Sequence, residues 1–118
     1  MAGISIHVID VSRGVPAAGM AVEVFSVDAG GLKRISLGAI SAQGHYDDAE
    51  LLTRVLTAGR YAARFEIGHY YRGAGIAVPD PAFLESVLFE FGLADPAQHY
   101  HLPLKMTPWG YSLFRGGS

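Results

Sequence analysis

Short stretches of alternating apolar and polar residues run through most of the chain, and turn-forming residues separate them. The first stretch, Ile4–Asp10, is rich in β-branched residues and predicts a strand on which His7 shares a face with Ser5. The same pattern predicts further strands over Met20–Val27, Leu32–Ile40, Arg60–Ile67, Phe83–Phe91, Gln98–Thr107 and Gly110–Arg115. Phe83–Phe91 also fits a helix, but its aromatic content and the glycine that follows favour a strand.

Two segments are compatible with a helix. Asp48–Leu56 can open a short helix with Asp48 as its N-cap, or it can hold a short edge strand at Glu50–Leu52. His69–Ile76 predicts about two helical turns, although its glycines weaken that prediction. Seven or eight short strands with at most one short helix are typical of an all-β protein, a two-sheet β-sandwich. A length of 118 residues suits one domain, 1–118.

Composition narrows the classes of partner. A net charge of −2 gives no electrostatic footprint for nucleic acid or an anionic membrane surface. No apolar run is long enough to span a bilayer, and no secretory leader pattern is present, so a cytoplasmic location is the expectation. The absence of cysteine agrees with a reducing compartment. Only 17% of residues are charged, which suggests that another subunit covers part of the surface.

Candidate chemistry lies in the last twenty residues, where His99 and His101 are two positions apart near the only tryptophan. On a strand these imidazoles face one way, and Tyr100 and Leu102 face the other. A strand that only packs a core has no need of paired imidazoles. A neutral imidazole, with an ordinary pKa of about 6.5, can take a proton from water near neutral pH. The pair therefore predicts the centre of a site.

Four segments, in order along nearly the whole chain, carry a resemblance to a known family. They are His7–Asp10 running into Ser12–Ala17; Gly44 with its Asp-rich turn and Leu51-Leu52; Gly59–Tyr61 leading to Phe65; and His99–Leu104 followed by Thr107–Ser112 and Arg115-Gly116. Together they resemble the transthyretin family and, within it, the 5-hydroxyisourate hydrolases of purine breakdown.

The resemblance implies a transthyretin-like, eight-stranded β-sandwich that forms a homotetramer, a dimer of dimers. Each site would lie at the interface between dimers, so that two chains build it. The resemblance also decides between the alternatives left by the pattern. It selects His69–Gly75 as the single helix, makes Glu50–Leu52 a short strand, and makes Phe83–Phe91 a strand.

The implied reaction adds water to a carbonyl of a small-molecule substrate, 5-hydroxyisourate, and opens its ring without a metal or other cofactor. The implied catalytic residues are His7 and His101. His99 and Arg115 are predicted to help form the substrate-binding site, with His99 alternatively a supporting residue. Three histidines can also suggest zinc, but no carboxylate or thiolate is an obvious further ligand.

The sequence departs from the family pattern at two predicted substrate-binding positions. His45 stands where the family has Arg, and Phe114 stands where it has Tyr. These changes remove a permanent cation and a hydroxyl, which would suit an N-methylated 5-hydroxyisourate with less charge and fewer ring N–H groups. They equally allow a non-catalytic binding tetramer, as transthyretin itself is.

Overall fold

The computed structural model describes residues 2–117. Its strands are β1 Ile4–Asp10, β2 Val15–Pro16, β3 Ala21–Asp28, β4 Gly31–Ala39, β5 Gly59–Phe65, β6 Val87–Leu93, β7 Tyr100–Met106 and β8 Tyr111–Leu113. Its helices are α1 Ala49–Thr53 and α2 Ile67–Gly73. Within residues 2–117, no helix has the length and apolar character needed to cross a membrane.

The strands form two four-stranded sheets, in the orders β2-β1-β7-β8 and β4-β3-β5-β6. All neighbouring strands are antiparallel except β1 and β7, which run parallel. Residues on β1 alternate between buried and half-buried, because one face of its sheet packs on the core and the other faces outward. This parallel pairing brings segments from opposite ends of the sequence side by side on the outer face.

The predicted two-sheet sandwich is confirmed, but the prediction of a single helix is wrong. The strand at Glu50–Leu52 is also wrong, because α1 occupies that segment. Asp48 caps this helix, since its Oδ1 accepts the amide N–H of Glu50 at 3.1 Å and that of Leu51 at 3.3 Å. Leu51 is buried in the core, so one turn of helix satisfies both the backbone and the apolar face.

Helix α2 lies two residues earlier than the predicted His69–Gly75. Ile67 and Tyr71 are buried, which places the start of the helix on the core. The predicted strand Phe83–Phe91 begins only at Val87. Ahead of it, Glu85 is held out of the sheet by two hydrogen bonds from Arg72, at 2.8 and 3.0 Å.

Candidate active site

The register of β1 against β7 determines which side chains meet. Ser5 lies opposite His101, and His7 lies opposite Pro103, all on the outer face. Strands spaced about 4.8 Å apart, rising about 3.3 Å per residue, put the Cα atoms of His7 and His101 roughly 8 Å apart. Side chains of this size can both reach a small heterocycle lying between them.

A hydrogen-bonded chain of three side chains runs across this face. The hydroxyl of Ser5 is 2.7 Å from Nε2 of His99 and 2.7 Å from Nδ1 of His101. Nδ1 of His99 is 2.9 Å from the carbonyl oxygen of Ala2. His99 is only 9% exposed and uses both ring nitrogens within the fold, which is the arrangement that a supporting residue needs.

A tight turn holds His45 against His7. The hydroxyl of Ser41 accepts the amide N–H of His45 at 3.2 Å, and the amide of Ser41 donates to the carbonyl of His45 at 2.8 Å. The two imidazole rings lie 4.7 Å apart between centroids, tilted by 40°. Nε2 of His7 is 3.2 Å from the carbonyl oxygen of Gln43, which can only accept, so this nitrogen carries a proton.

Gly44 lets the turn approach His7 this closely. It has a φ of +93°, and a Cβ at this position would lie 2.6 Å from Nε2 of His7. A side chain at position 44 would therefore push the imidazole away and strain the backbone. The glycine that the sequence places before His45 thus sets the distance between the two rings.

The pKa of His101 lies below its ordinary value. Burial is the main cause, and the neighbouring imidazoles of His7, His99 and His45 add to it, because each disfavours a further positive charge. His101 is consequently neutral near pH 7 and able to accept a proton.

The tail places the two remaining predicted residues at the margin of this face. The guanidinium of Arg115 lies 4.0 Å from the centroid of Tyr100, and its Nη2 donates to the carbonyl oxygen of His99 at 3.3 Å. Phe114 is half exposed. The amide of Gly116 donates to the carbonyl of His101 at 2.8 Å, so the tail runs directly alongside the catalytic candidate.

A cavity of about 290 Å³ lies at the start of β1, and among residues 2–117 His45 is the one histidine that lines it. Ser5 and His45 line it together with apolar groups of Ile4, Ala49 and Leu52. Its lining, drawn from the described residues, includes two aspartates and neither lysine nor arginine. Nor do residues 2–117 contain three or more His, Asp or Glu side chains grouped to hold a metal ion.

With this geometry in view, comparison with known proteins decides the family. The profile of the HIUase/Transthyretin family matches residues 4–116. The chain belongs to this family. The family predicted from the sequence motifs is thereby confirmed.

Individual members of the HIUase/Transthyretin family are similar over almost the full length. The 5-hydroxyisourate hydrolase of Mesorhizobium japonicum is 42% identical over 110 residues, which cover 93% of this chain and 88% of the relative. The structure of Klebsiella pneumoniae 5-hydroxyisourate hydrolase has a TM-score of 0.78 at 28% identity, covering 99% of this chain and all of that one. Sea bream transthyretin in complex with thyroxine has a TM-score of 0.84 at 25% identity, covering 98% and 96%.

Two contributors to the site, the side chain of Ser5 and the backbone carbonyl of Gln43, were not predicted from the sequence. The sequence predicts only that Ser5 shares a face with His7, since nothing in the sequence fixes the β1–β7 register. The carbonyl of Gln43 is a backbone group, and its role depends on the turn conformation at Gly44. A small polar residue two positions before a predicted catalytic histidine was the only available signal for Ser5.

Proposed function

We propose that this chain hydrolyses a ring amide of 5-hydroxyisourate, in the breakdown of purines. The observation that carries the proposal is the placement of His7 and His101 on one outward sheet face, where the ring of His7 lies 4.7 Å from that of His45, which lines a cavity. The names of the similar proteins support an enzyme: the Mesorhizobium japonicum and Klebsiella pneumoniae relatives are both 5-hydroxyisourate hydrolases.

The proposed chemistry needs only imidazoles and water. One imidazole takes a proton from water, and the resulting hydroxide adds to a ring carbonyl. The C–N bond of that ring amide then breaks, and a proton passes to the leaving nitrogen. The product is the corresponding 2-oxo-4-hydroxy-4-carboxy-5-ureidoimidazoline. Proton transfer of this kind contributes roughly 10²–10⁴-fold to a rate.

We further propose that the preferred substrate is N-methylated, as arises from methylxanthine or methylurate oxidation. His45 and Phe114 supply neither the permanent cation nor the hydroxyl that the family pattern has at these positions. The cavity that His45 lines is partly apolar, and Asp47 and Asp48 also line it, with no lysine or arginine among its described residues. These features favour a substrate with less negative charge and an added methyl group.

We also propose that the chain works as a cytoplasmic homotetramer with a site between dimers. The support is the exposure of large apolar side chains in and beside β8: Trp109 is 61% exposed, Tyr111 47% and Phe114 50%. Apolar surface of this kind is often covered by a partner. Light scattering after gel filtration tests the assembly, and a monomer at assay concentration would contradict it.

The activity is tested by following the decay of 5-hydroxyisourate generated in situ. His7→Ala and His101→Ala should each lose nearly all of the enzymatic rate. His69→Ala is the matched control, because His69 is an exposed histidine on α2, outside this face. Unchanged decay in either of the first two variants would contradict the assigned roles.

The substrate preference is tested with methylated and unmethylated 5-hydroxyisourate side by side. The chain should have the higher kcat/KM for a methylated form, and His45→Arg should shift the preference toward the unmethylated one. A clear preference of the wild type for the unmethylated substrate would remove this part of the proposal.

A non-catalytic binding tetramer is the second candidate. It is favoured by the loss of Arg and Tyr at positions 45 and 114, and by the similarity in fold to sea bream transthyretin. Tight binding of 5-hydroxyisourate or its product by a tetramer that does not accelerate decay would support this candidate over the enzyme.

A further inference from the structure

We propose that Ser5 and His99 are positioning residues that fix the tautomer of His101, leaving its Nε2 as the atom that takes the proton from water. The inference rests on the proposed hydrolase and deepens it, because the sequence and the family resemblance leave open which imidazole atom is the base. It follows from hydrogen-bond donors and acceptors alone.

The chain of hydrogen bonds is anchored at a carbonyl. The oxygen of Ala2 can only accept, so Nδ1 of His99, 2.9 Å away, carries a proton. A neutral imidazole has one N–H, and Nε2 of His99 is therefore an acceptor. The hydroxyl of Ser5, 2.7 Å from this nitrogen, donates its only proton to it.

Ser5 then has only lone pairs to offer to its second partner. Nδ1 of His101 lies 2.7 Å from the same hydroxyl, so this nitrogen must carry the proton of the neutral ring. The lone pair of His101 consequently sits on Nε2. Reversing the chain would require protons on both ring nitrogens of His99, and a neutral imidazole carries only one.

Nε2 of His101 is open to a ligand. Among residues 2–117 it makes no hydrogen bond, and no buried side-chain nitrogen or oxygen in that range lacks a partner, so this atom reaches solvent. The tail approaches the neighbouring edge of the ring: a Cβ at Gly116 would lie 2.8 Å from Cδ2 of His101. A glycine at position 116 thus leaves room beside the reactive nitrogen.

The proton balance of the first step fits this tautomer. Nε2 accepts a proton from water, and the oxygen of that water bonds to the ring carbonyl carbon. The imidazolium keeps its Nδ1–H bond to Ser5, so no other proton has to move. Nε2–H later returns its proton to the leaving ring nitrogen. In contrast, neutral His7 carries its proton on Nε2, toward Gln43, and has its lone pair on Nδ1.

The tautomer can be measured without substrate. In ¹⁵N-labelled wild-type protein above pH 7, histidine ring NMR should show Nδ1 of His101 protonated and Nε2 unprotonated. Ser5→Ala should produce a mixture of tautomers, whereas Ser5→Thr, which keeps the hydroxyl, should preserve the wild-type form. A protonated Nε2 in the neutral wild-type ring, or an unchanged tautomer in Ser5→Ala, would overturn the proposal.

The kinetic arm separates positioning from simple structural support. Ser5→Ala should lower kcat about 10-fold with little change in KM, consistent with the loss of one hydrogen bond to the reacting group, and Ser5→Thr should recover most of it. Equal kcat in Ser5→Ala and wild type would overturn the positioning role. No hydrolysis by the wild type would instead overturn the proposed function, and the NMR result distinguishes the two failures.

Discussion

Two polar clusters on β1 differ in how their hydrogen bonds end. On the core side, the carboxylate of Asp10 is completely buried and accepts hydrogen bonds from four side chains: Ser12, Arg13, Tyr70 and Tyr71. On the outer side, the chain from Ala2 through His99 and Ser5 stops at Nε2 of His101, which has no partner within residues 2–117.

The difference separates structural from chemical use of polar groups. The Asp10 cluster ties the end of β1 to α2, and every acceptor is occupied, so nothing is left to react. The histidine cluster satisfies its inner members and leaves one outer nitrogen free. Substitutions in the Asp10 cluster should therefore lower stability, and substitutions in the histidine cluster should lower turnover.

The largest effect on turnover is expected from replacing His101, whose Nε2 ends the hydrogen-bonded chain without a partner among residues 2–117. His101→Gln should lower the rate of 5-hydroxyisourate decay by roughly 10²–10⁴-fold, because the general base is removed. Its thermal midpoint should stay close to that of the wild type, since the ring is only half-buried and lies on the outer face of the sheet. Steady-state kinetics and a melting curve on the same sample check both statements. A large fall in the thermal midpoint with turnover retained would mean that His101 has a structural rather than a chemical role.

Asp10→Ala should have the largest effect on stability. It leaves the hydroxyls of Tyr70 and Tyr71 without the acceptor they share, and a buried donor left unpaired costs about 1–3 kcal/mol, whereas Arg13, whose side chain is 36% exposed, can turn to water. Urea unfolding measures this loss. Asp10→Asn, which keeps the size and one acceptor oxygen, is the matched control and should lose less. Equal stability of Asp10→Ala and wild type would show that the cluster is dispensable.

Stability should also depend on acid through Asp10. Burial alone would raise its pKa, but hydrogen bonds from Arg13, Ser12, Tyr71 and Tyr70 outweigh burial and hold the pKa below the ordinary value of 3.8. The stabilisation is therefore complete above about pH 4 and is lost as the pH falls through the folded-state pKa. In urea unfolding below pH 4, Asp10→Asn should lose less stability with acid than the wild type does.

A smaller loss is expected from Tyr71→Phe. The hydroxyl of Tyr71 donates to Oδ1 of Asp10 at 2.7 Å, and its removal should cost about 1–2 kcal/mol while leaving three other donors. Urea unfolding again provides the measurement, and 5-hydroxyisourate turnover should not change. If Tyr71→Phe were as unstable as Asp10→Ala, the substitution would have disturbed the packing of the ring as well as removing the hydrogen bond.

The smallest effect is expected on the surface. Arg60 and Glu90 form an ion pair at 3.2 Å between β5 and β6, with both side chains more than half exposed. Arg60→Ala should change the free energy of unfolding by no more than about 1 kcal/mol. A larger loss would mean that exposed pairs, as well as the Asp10 cluster, set the stability of this sandwich.

Much of the fold could be predicted from alternation and turn residues. The first strand was placed at its observed bounds, and the two-sheet class followed from strand count and spacing. The helix capped by Asp48 was available from local chemistry and was lost only when the family pattern was preferred. Hydrogen bonds from the amides of Glu50 and Leu51 to the side chain of Asp48 decided this segment.

Only part of the candidate site could be predicted from the sequence. Paired imidazoles at His99 and His101 are visible in the spacing, and the family motifs add His7. The hydrogen bonds of Ser5 to His99 and His101 could not be predicted, because they depend on the parallel register of β1 and β7, which lie nearly 100 residues apart in the sequence. The different accessibility of His99 and His101 also depends on that register, so their separate roles could not be assigned from the sequence.

The most direct measurement is the decay of 5-hydroxyisourate, freshly generated from urate, with and without the purified wild-type protein. Acceleration over the spontaneous rate, proportional to protein concentration and absent in His101→Ala, is the result predicted by an open imidazole on this sheet face. A folded wild-type protein that leaves the spontaneous decay of both 5-hydroxyisourate and its methylated forms unchanged would contradict the account.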